Sequence, residues 1–204
     1  MNQPDPLVFV VDDDDAVRES ISWLISSVDL KVQAYASASD FLAQCRPGQA
    51  GCLITDIRMP EVSGLELQDE LNRRGCDIPV IVITGHGDVQ TAVRAMKAGA
   101  FDFIEKPFND QVLLDLVNRA VANSVESLRE QIEQAEVRTR IGSLTPREKQ
   151  VLDLISTGDS NKNIAHGLNI SEKTVEAHRA KVMLKMQAKS LAQLVKMVIS
   201  MDSD

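Results

Sequence analysis

Four short apolar runs, each ending in a polar side chain, constrain the fold of this chain more than any other feature. Leu7-Val-Phe-Val-Val11 runs into Asp12-Asp13, Gly51-Cys-Leu-Ile-Thr55 into Asp56, Val80-Ile-Val-Ile83 into Thr84, and Phe101-Asp-Phe-Ile104 into Glu105-Lys106-Pro107. Runs of this length and Val/Ile content suit strands buried on both faces. Between them the apolar residues recur at helical steps, as in Val17, Ile21, Leu24 and Val28, with similar stripes over 64–74 and 89–98. The whole segment alternates as βαβαβαβαβα, which implies parallel pairing through right-handed crossovers, hence an α/β five-stranded doubly wound parallel sheet. In such a sheet the ligand crevice lies beyond the carboxyl ends of the strands. Asp12, Asp13, Asp56, Thr84 and Lys106 are therefore expected in one site.

The residues at these strand ends carry a resemblance. The Asp12-Asp13 pair, TDIRMP with Gly64 following, VITGHGD and AFDFIEKPF resemble the receiver domain of bacterial response regulators over roughly residues 5–122, a flavodoxin-like fold. The resemblance implies that Asp56 accepts a phosphoryl group from a partner histidine kinase. It also implies that Asp12 and Asp13 hold Mg2+ (or Mn2+) with Asp56 and the backbone carbonyl of Arg58, and that Thr84 and Phe103 are switch positions. The chemistry agrees. Three converging carboxylates repel unless a cation neutralises them, and an all-oxygen donor set suits a hard ion. Asp56 can then act as a carboxylate nucleophile, with the Lys106 ammonium and the Thr84 hydroxyl facing the phosphoryl oxygens.

Plainer readings exist for each residue. Asp14 and Asp15 suit a helix N-terminus, where acids cap free N–H groups. Thr84 or Lys106-Pro107 alone would be an ordinary strand end or turn, and Phe103 suits core packing equally well. Matches at four strand ends together outweigh them. A haloacid-dehalogenase-type phosphohydrolase also combines an Asp nucleophile with Lys, Thr and Mg2+, but it needs a second Asp two residues on as general acid. This chain has Arg58 there, so a phosphoacceptor rather than a turnover enzyme is expected. A phosphorylation-independent docking module would have lost receiver groups, and every one is present.

With 204 residues, 44% hydrophobic and 25% charged, the chain can build two compact cores. The expected parts are a receiver domain at 5–122, a helical linker at 123–142 and a second domain at 143–204. No apolar stretch approaches membrane-spanning length, and Met1-Asn-Gln-Pro-Asp-Pro6 lacks the pattern of a signal peptide, so a cytoplasmic protein with no membrane partner is expected. Cys45, Cys52 and Cys76 lack metal or disulfide spacing. Residues 1–125 carry 10 Lys and Arg against 19 Asp and Glu, whereas residues 144–204 carry 9 against 7, which keeps nucleic acid open as a partner of the C-terminal part.

From Asn109 a helix is predicted to run towards Arg140, because Val117, Val121, Val125, Leu128, Ile132 and Ala135 recur at three- and four-residue steps without Pro or Gly between. Its stripe suits either a coiled-coil seam or packing on a domain. Gly142-Ser143 breaks it. Thr145, Pro146 and Glu148 then form a capping-box start. Helices over about 146–157, 161–168, 171–186 and 190–200 give an all-α four-helix domain whose middle pair, joined by a short turn, reads as a helix-turn-helix.

LTPREKQVLDLISTGDSNKNIAHGLNISEKTVEAHRAKV resembles the LuxR-type DNA-binding domain, and the two halves together resemble the FixJ/NarL family of response regulators, nearest the FixJ branch. The implied function is phosphorylation-activated transcription regulation. Its implied partners are a sensor histidine kinase, promoter DNA, RNA polymerase and a second copy of the chain on phosphorylation. By position Glu176, Ala177 and Ala180 face base edges, while Lys173, Thr174, Arg179 and Lys181 reach phosphates or neighbouring bases. Many LuxR-type domains carry a lysine where Glu176 stands. Glu176 either reads a cytosine amine or is a solvent-facing residue paired with Lys173 or Arg179. His178, lacking metal-type companions, is not expected to be a ligand.

Overall fold

The computed structural model describes residues 5–85 and 89–200. His86, Gly87 and Asp88 of the VITGHGD motif, and the residues at both termini, lie outside the described residues. The first part alternates β1 (Leu7–Val11), α1 (Asp15–Ser26), β2 (Lys31–Tyr35), α2 (Ala38–Gln44), β3 (Gly51–Asp56), α3 (Gly64–Arg73), β4 (Val80–Thr84), α4 (Val89–Lys97) and β5 (Asp102–Glu105) before the long α5 (Asp110–Gly142). The strands are all parallel in the order β2-β1-β3-β4-β5.

The period of two along each strand sends alternate residues to opposite faces. Val8 and Val10 of β1 join Ile54, Ile81 and Ile83 against Ile21 and Ile25 of α1 and Leu113 and Val117 of α5. Phe9 and Val11 join Leu53 and Val82 against Phe41, Leu67, Leu71 and Ala95 of α2, α3 and α4. The sheet is thus covered on both faces, which is why β3 and β4 are buried throughout. Burial raises the Cys45 and Cys52 thiols to about 12. All three cysteines are free and buried.

The described residues part into two units between Arg129 and Glu130, inside α5, which is unbroken through Gly142. The predicted stripe is buried at Val117 and Val121, half-buried at Val125 and Leu128, and exposed at Ile132 and Ala135. The second unit adds α6 (Pro146–Ser156), α7 (Asn161–Leu168), α8 (Glu172–Met186) and α9 (Leu191–Ile199) around Val137, Val151, Ile155, Ile164, Val175, Val182 and Leu194. Thr145, Ser160, Ser171 and Ser190 each accept a backbone N–H from three residues on as N-caps. Asn169 closes α7 at φ 52° in the left-handed region, a conformation asparagine tolerates better than most residues. Among the described residues no helix is long and apolar enough to cross a membrane.

Candidate functional site

The strand order reverses at β1, since the chain leaves β1 for β2 on one side and returns to β3 on the other. Loops on either side of such a switch point diverge and leave a crevice. Asp12 follows β1 and Asp56 ends β3 at this point, and the two are 3% and 8% exposed.

Lys106, which follows β5, joins them. Its Nζ donates to Asp12 Oδ2 and to Asp56 Oδ1, each at 2.9 Å. The lysine is held from behind by its own backbone N–H, which donates to the Thr84 carbonyl at 2.7 Å. The remaining carboxylate oxygens are also occupied: Asp12 Oδ1 accepts from the Asp14 backbone at 2.9 Å and Asp56 Oδ2 from the Arg58 backbone at 2.6 Å. Partial burial works against the Lys106 ammonium, but hydrogen bonds to Asp12 and Asp56 outweigh it and raise its pKa. Each ammonium–carboxylate contact is worth on the order of 5 kcal/mol in gross Coulomb terms at an effective dielectric near 20, which is why the charged form wins.

Gly64 fixes the shape of the crevice wall. A Cβ built on it would lie 2.3 Å from the Asp56 carbonyl oxygen, so only glycine lets the loop return this close. Its N–H donates to Ile57 O at 3.1 Å, and Ile57 N donates to Ile83 O at 3.1 Å.

Of the other residues expected here, Thr84 ends β4 and is 1% exposed. Asp13 is exposed, as is the Arg58 side chain. Phe103 is half-buried against the core that contains Phe9 and Val82. Among the described residues no three His, Cys, Asp or Glu side chains are placed as a metal cage. The structure brings Asp12, Asp56 and Lys106 together and does not gather Asp13 into a three-carboxylate cluster with them. Asp14 caps α1, accepting from Ala16 and Val17, the plainer role foreseen for it.

Two features had no clear sequence signal. Arg18 donates to the Asp12 carbonyl at 2.7 Å, and Lys106 bridges both aspartates rather than serving one. A basic residue one turn into α1 is the only hint of the first.

In the second unit α8 turns Val175, Val182 and Met186 inward. It leaves Lys173, Thr174, Glu176, Ala177, Ala180 and Lys181 exposed and Arg179 half-buried. Among the described residues Glu176 is exposed and forms no ion pair, so of the two readings the solvent-facing one stands without the pairing to Lys173 or Arg179. His178 is half-buried, with its Nδ1 buried and lacking a hydrogen-bond partner among the described residues. At the other end Glu148 completes the capping box with Thr145 and accepts from Lys185 Nζ at 2.6 Å. The Lys185 and Thr145 hydrogen bonds hold its pKa at about 2.

Residues 8–118 match the response regulator receiver domain, and residues 142–198 match the luxR family of bacterial regulatory proteins. The transcriptional regulatory protein FixJ of Azorhizobium caulinodans is 50% identical over 192 residues, which cover 94% of this chain and 91% of that protein. FixJ of Rhizobium meliloti is 46% identical over 196 residues, 96% of each chain. The solved structure of the response regulator StyR superposes with a TM-score of 0.86 at 45% identity, covering 96% of this chain and 98% of that one.

Proposed function

Because the chain belongs to the FixJ/NarL family of two-component response regulators, which link a histidine kinase to promoter DNA, we propose that Asp56 is its phosphoacceptor and α8 its base-reading helix. The observation that carries the first assignment is Lys106 Nζ at 2.9 Å from both Asp12 and Asp56: two buried carboxylates share one ammonium at a sheet switch point. An Asp56 oxygen attacks the phosphorus of a phosphohistidine whose other ring nitrogen is protonated, so the P–N bond breaks and its electron pair leaves on a neutral imidazole. Arg58 N–H orients the carboxylate, and Lys106 and the Thr84 hydroxyl then face the phosphoryl oxygens.

Asp12 and Asp56 share one ammonium and keep a net negative charge, which suits a hard cation once the exposed Asp13 turns in to join them. Asp12, Asp13, Asp56 and the Arg58 carbonyl would hold Mg2+ or Mn2+. When bound, the ion supplies neutralising charge to the phosphoryl oxygens. Arg58 offers no carboxyl for leaving-group protonation, which supports an acceptor over a phosphohydrolase.

Thr84 and Phe103 form the switch in this reading, and the output is a cytoplasmic, dimeric activated state that engages promoter DNA and RNA polymerase. Incubation with a small phosphodonor and Mg2+ should add one phosphoryl group by intact mass, and Asp56→Asn should add none. Lys106→Ala should still be phosphorylated yet fail to gain promoter affinity. Undiminished labelling of Asp56→Asn would reject the acceptor, and wild-type activation of Lys106→Ala would reject the switch role.

On DNA, Glu176, Ala177 and Ala180 face base edges, and Lys173, Thr174, Arg179 and Lys181 serve phosphates or flanking bases. Glu176 is exposed and forms no ion pair among the described residues, which leaves its carboxylate available to accept from a base. Glu176→Gln should then shift preference at one base per half-site by about 1–3 kcal/mol. Uniformly tighter binding with unchanged preference would make Glu176 only a repulsive charge.

A further inference from the structure

The outward face of α8 is not uniformly polar. At 100° per residue, Lys173, Ala177, Ala180 and Leu184 fall on one stripe, and all four are exposed. Leu184 is 78% exposed, more than any other large hydrophobic residue described. A single apolar side chain in water is common and carries no message. This one continues two alanines along the helix face opposite the core residues Val175, Val182 and Met186, with Lys173 at the head of the stripe and Lys181 beside it.

An apolar strip flanked by ammonium groups complements a DNA major groove, which has phosphates at its rims and thymine C5-methyl groups on its floor. We propose that Leu184 is a specificity-determining residue that packs on a thymine C5-methyl in each half-site. The proposal rests on α8 being the groove helix. Ala177 and Leu184 are seven residues apart, about 10 Å along the axis, and bases repeat every ~3.4 Å along a strand. The stripe therefore spans about three base steps. At its far end, where a recognition helix entered by its N-terminus rises from the groove floor, the longer leucine reaches where an alanine would fall short.

The test uses the phosphorylated full-length protein and a pool of randomised duplexes. Sites recovered by the wild type should share one thymine per half-site that sites recovered by Leu184→Ala do not require. Replacing that thymine with uracil, which lacks only the methyl, should weaken wild-type binding about fourfold per half-site and leave Leu184→Ala unchanged. Alanine is a better helix former than leucine at an exposed position, so the variant should fold. Absence of a shared thymine, a uracil effect equal in both proteins, or no uracil effect would each overturn the proposal. Lys181→Ala separates this from the underlying assignment, because loss of a phosphate contact should weaken binding to every duplex and flatten its salt dependence. If Lys181→Ala does so and the thymine result fails, only the role of Leu184 falls; if Lys181→Ala also binds like wild type, the groove-helix reading falls with it.

Discussion

Lys106 is divided between two carboxylates in this structure, and in the proposed reading that division makes it a usable switch. A phosphoryl group on Asp56 would replace one carboxylate oxygen with several anionic ones, so the ammonium would gain more from Asp56 than from Asp12. A contact that changes strength between two states shifts their populations, whereas one made equally in both shifts nothing. The crevice wall beside it has less freedom. Placing a methyl on Gly64, whose Cβ position lies 2.3 Å from the Asp56 carbonyl oxygen, must displace backbone at the proposed phosphoacceptor itself. Gly64→Ala should therefore lower the stability of the first unit by about 1–3 kcal/mol and slow labelling of Asp56. Denaturant titration followed through Trp23, the sole tryptophan, reads the first effect. A midpoint and labelling rate equal to wild type would show that the loop yields freely.

At the scale of elements, α6 and α8 are joined by a charge that also caps a helix. Glu148 is 4% exposed, and its carboxylate serves the Thr145 backbone and Lys185 at once. Its pKa is depressed to about 2 when folded, so the unfolded chain binds the proton more readily. The stabilisation is then fully present above the usual glutamate range and is lost as pH falls from there through about 2. Glu148→Gln should lower amide-exchange protection in α6 and α8 at pH 7, and the two proteins should converge towards pH 2. A gap that stays constant across that range would assign the effect to lost packing instead. The capping box was legible from Thr145, Pro146 and Glu148, because capping depends on residues three apart in sequence. Lys185 was not legible, because its partner lies 37 residues away and only the packing of α8 on α6 brings them together. The same distinction applies at the crevice. Strand ends and turn chemistry announced Asp12, Asp56, Thr84 and Lys106, but the bridging of two aspartates by one lysine depends on how β1, β3 and β5 end relative to one another. The exposure of Asp13 and the absence of a Glu176 ion pair among the described residues were equally undecided by local pattern, since both follow from which way a side chain is left facing after the elements pack.

For the whole molecule the deciding question is copy number. One recognition helix covers only a few base pairs, and a genome offers a vast excess of competing sites, so useful discrimination calls for two copies on paired half-sites. The chain leaves apolar surface that a second copy could cover. Along α5 the stripe that packs on the sheet through Val121 continues to Ile132 and Ala135, which are exposed, at the three- and four-residue spacing of a coiled-coil seam. Two α8 helices held at a fixed separation would add their contacts, whereas two independent copies would each bear the full entropic cost of association. Phosphorylation should therefore raise DNA affinity by favouring the dimer rather than by altering α8 itself. Sedimentation with beryllofluoride, a stable phosphoryl mimic, and Mg2+ should show a dimer where the untreated protein is monomeric, and Ile132→Asp should weaken that dimer if the α5 stripe is its seam. A monomer in both states, even with a selected DNA site present, would reject dimerisation as the step that connects Asp56 to DNA binding.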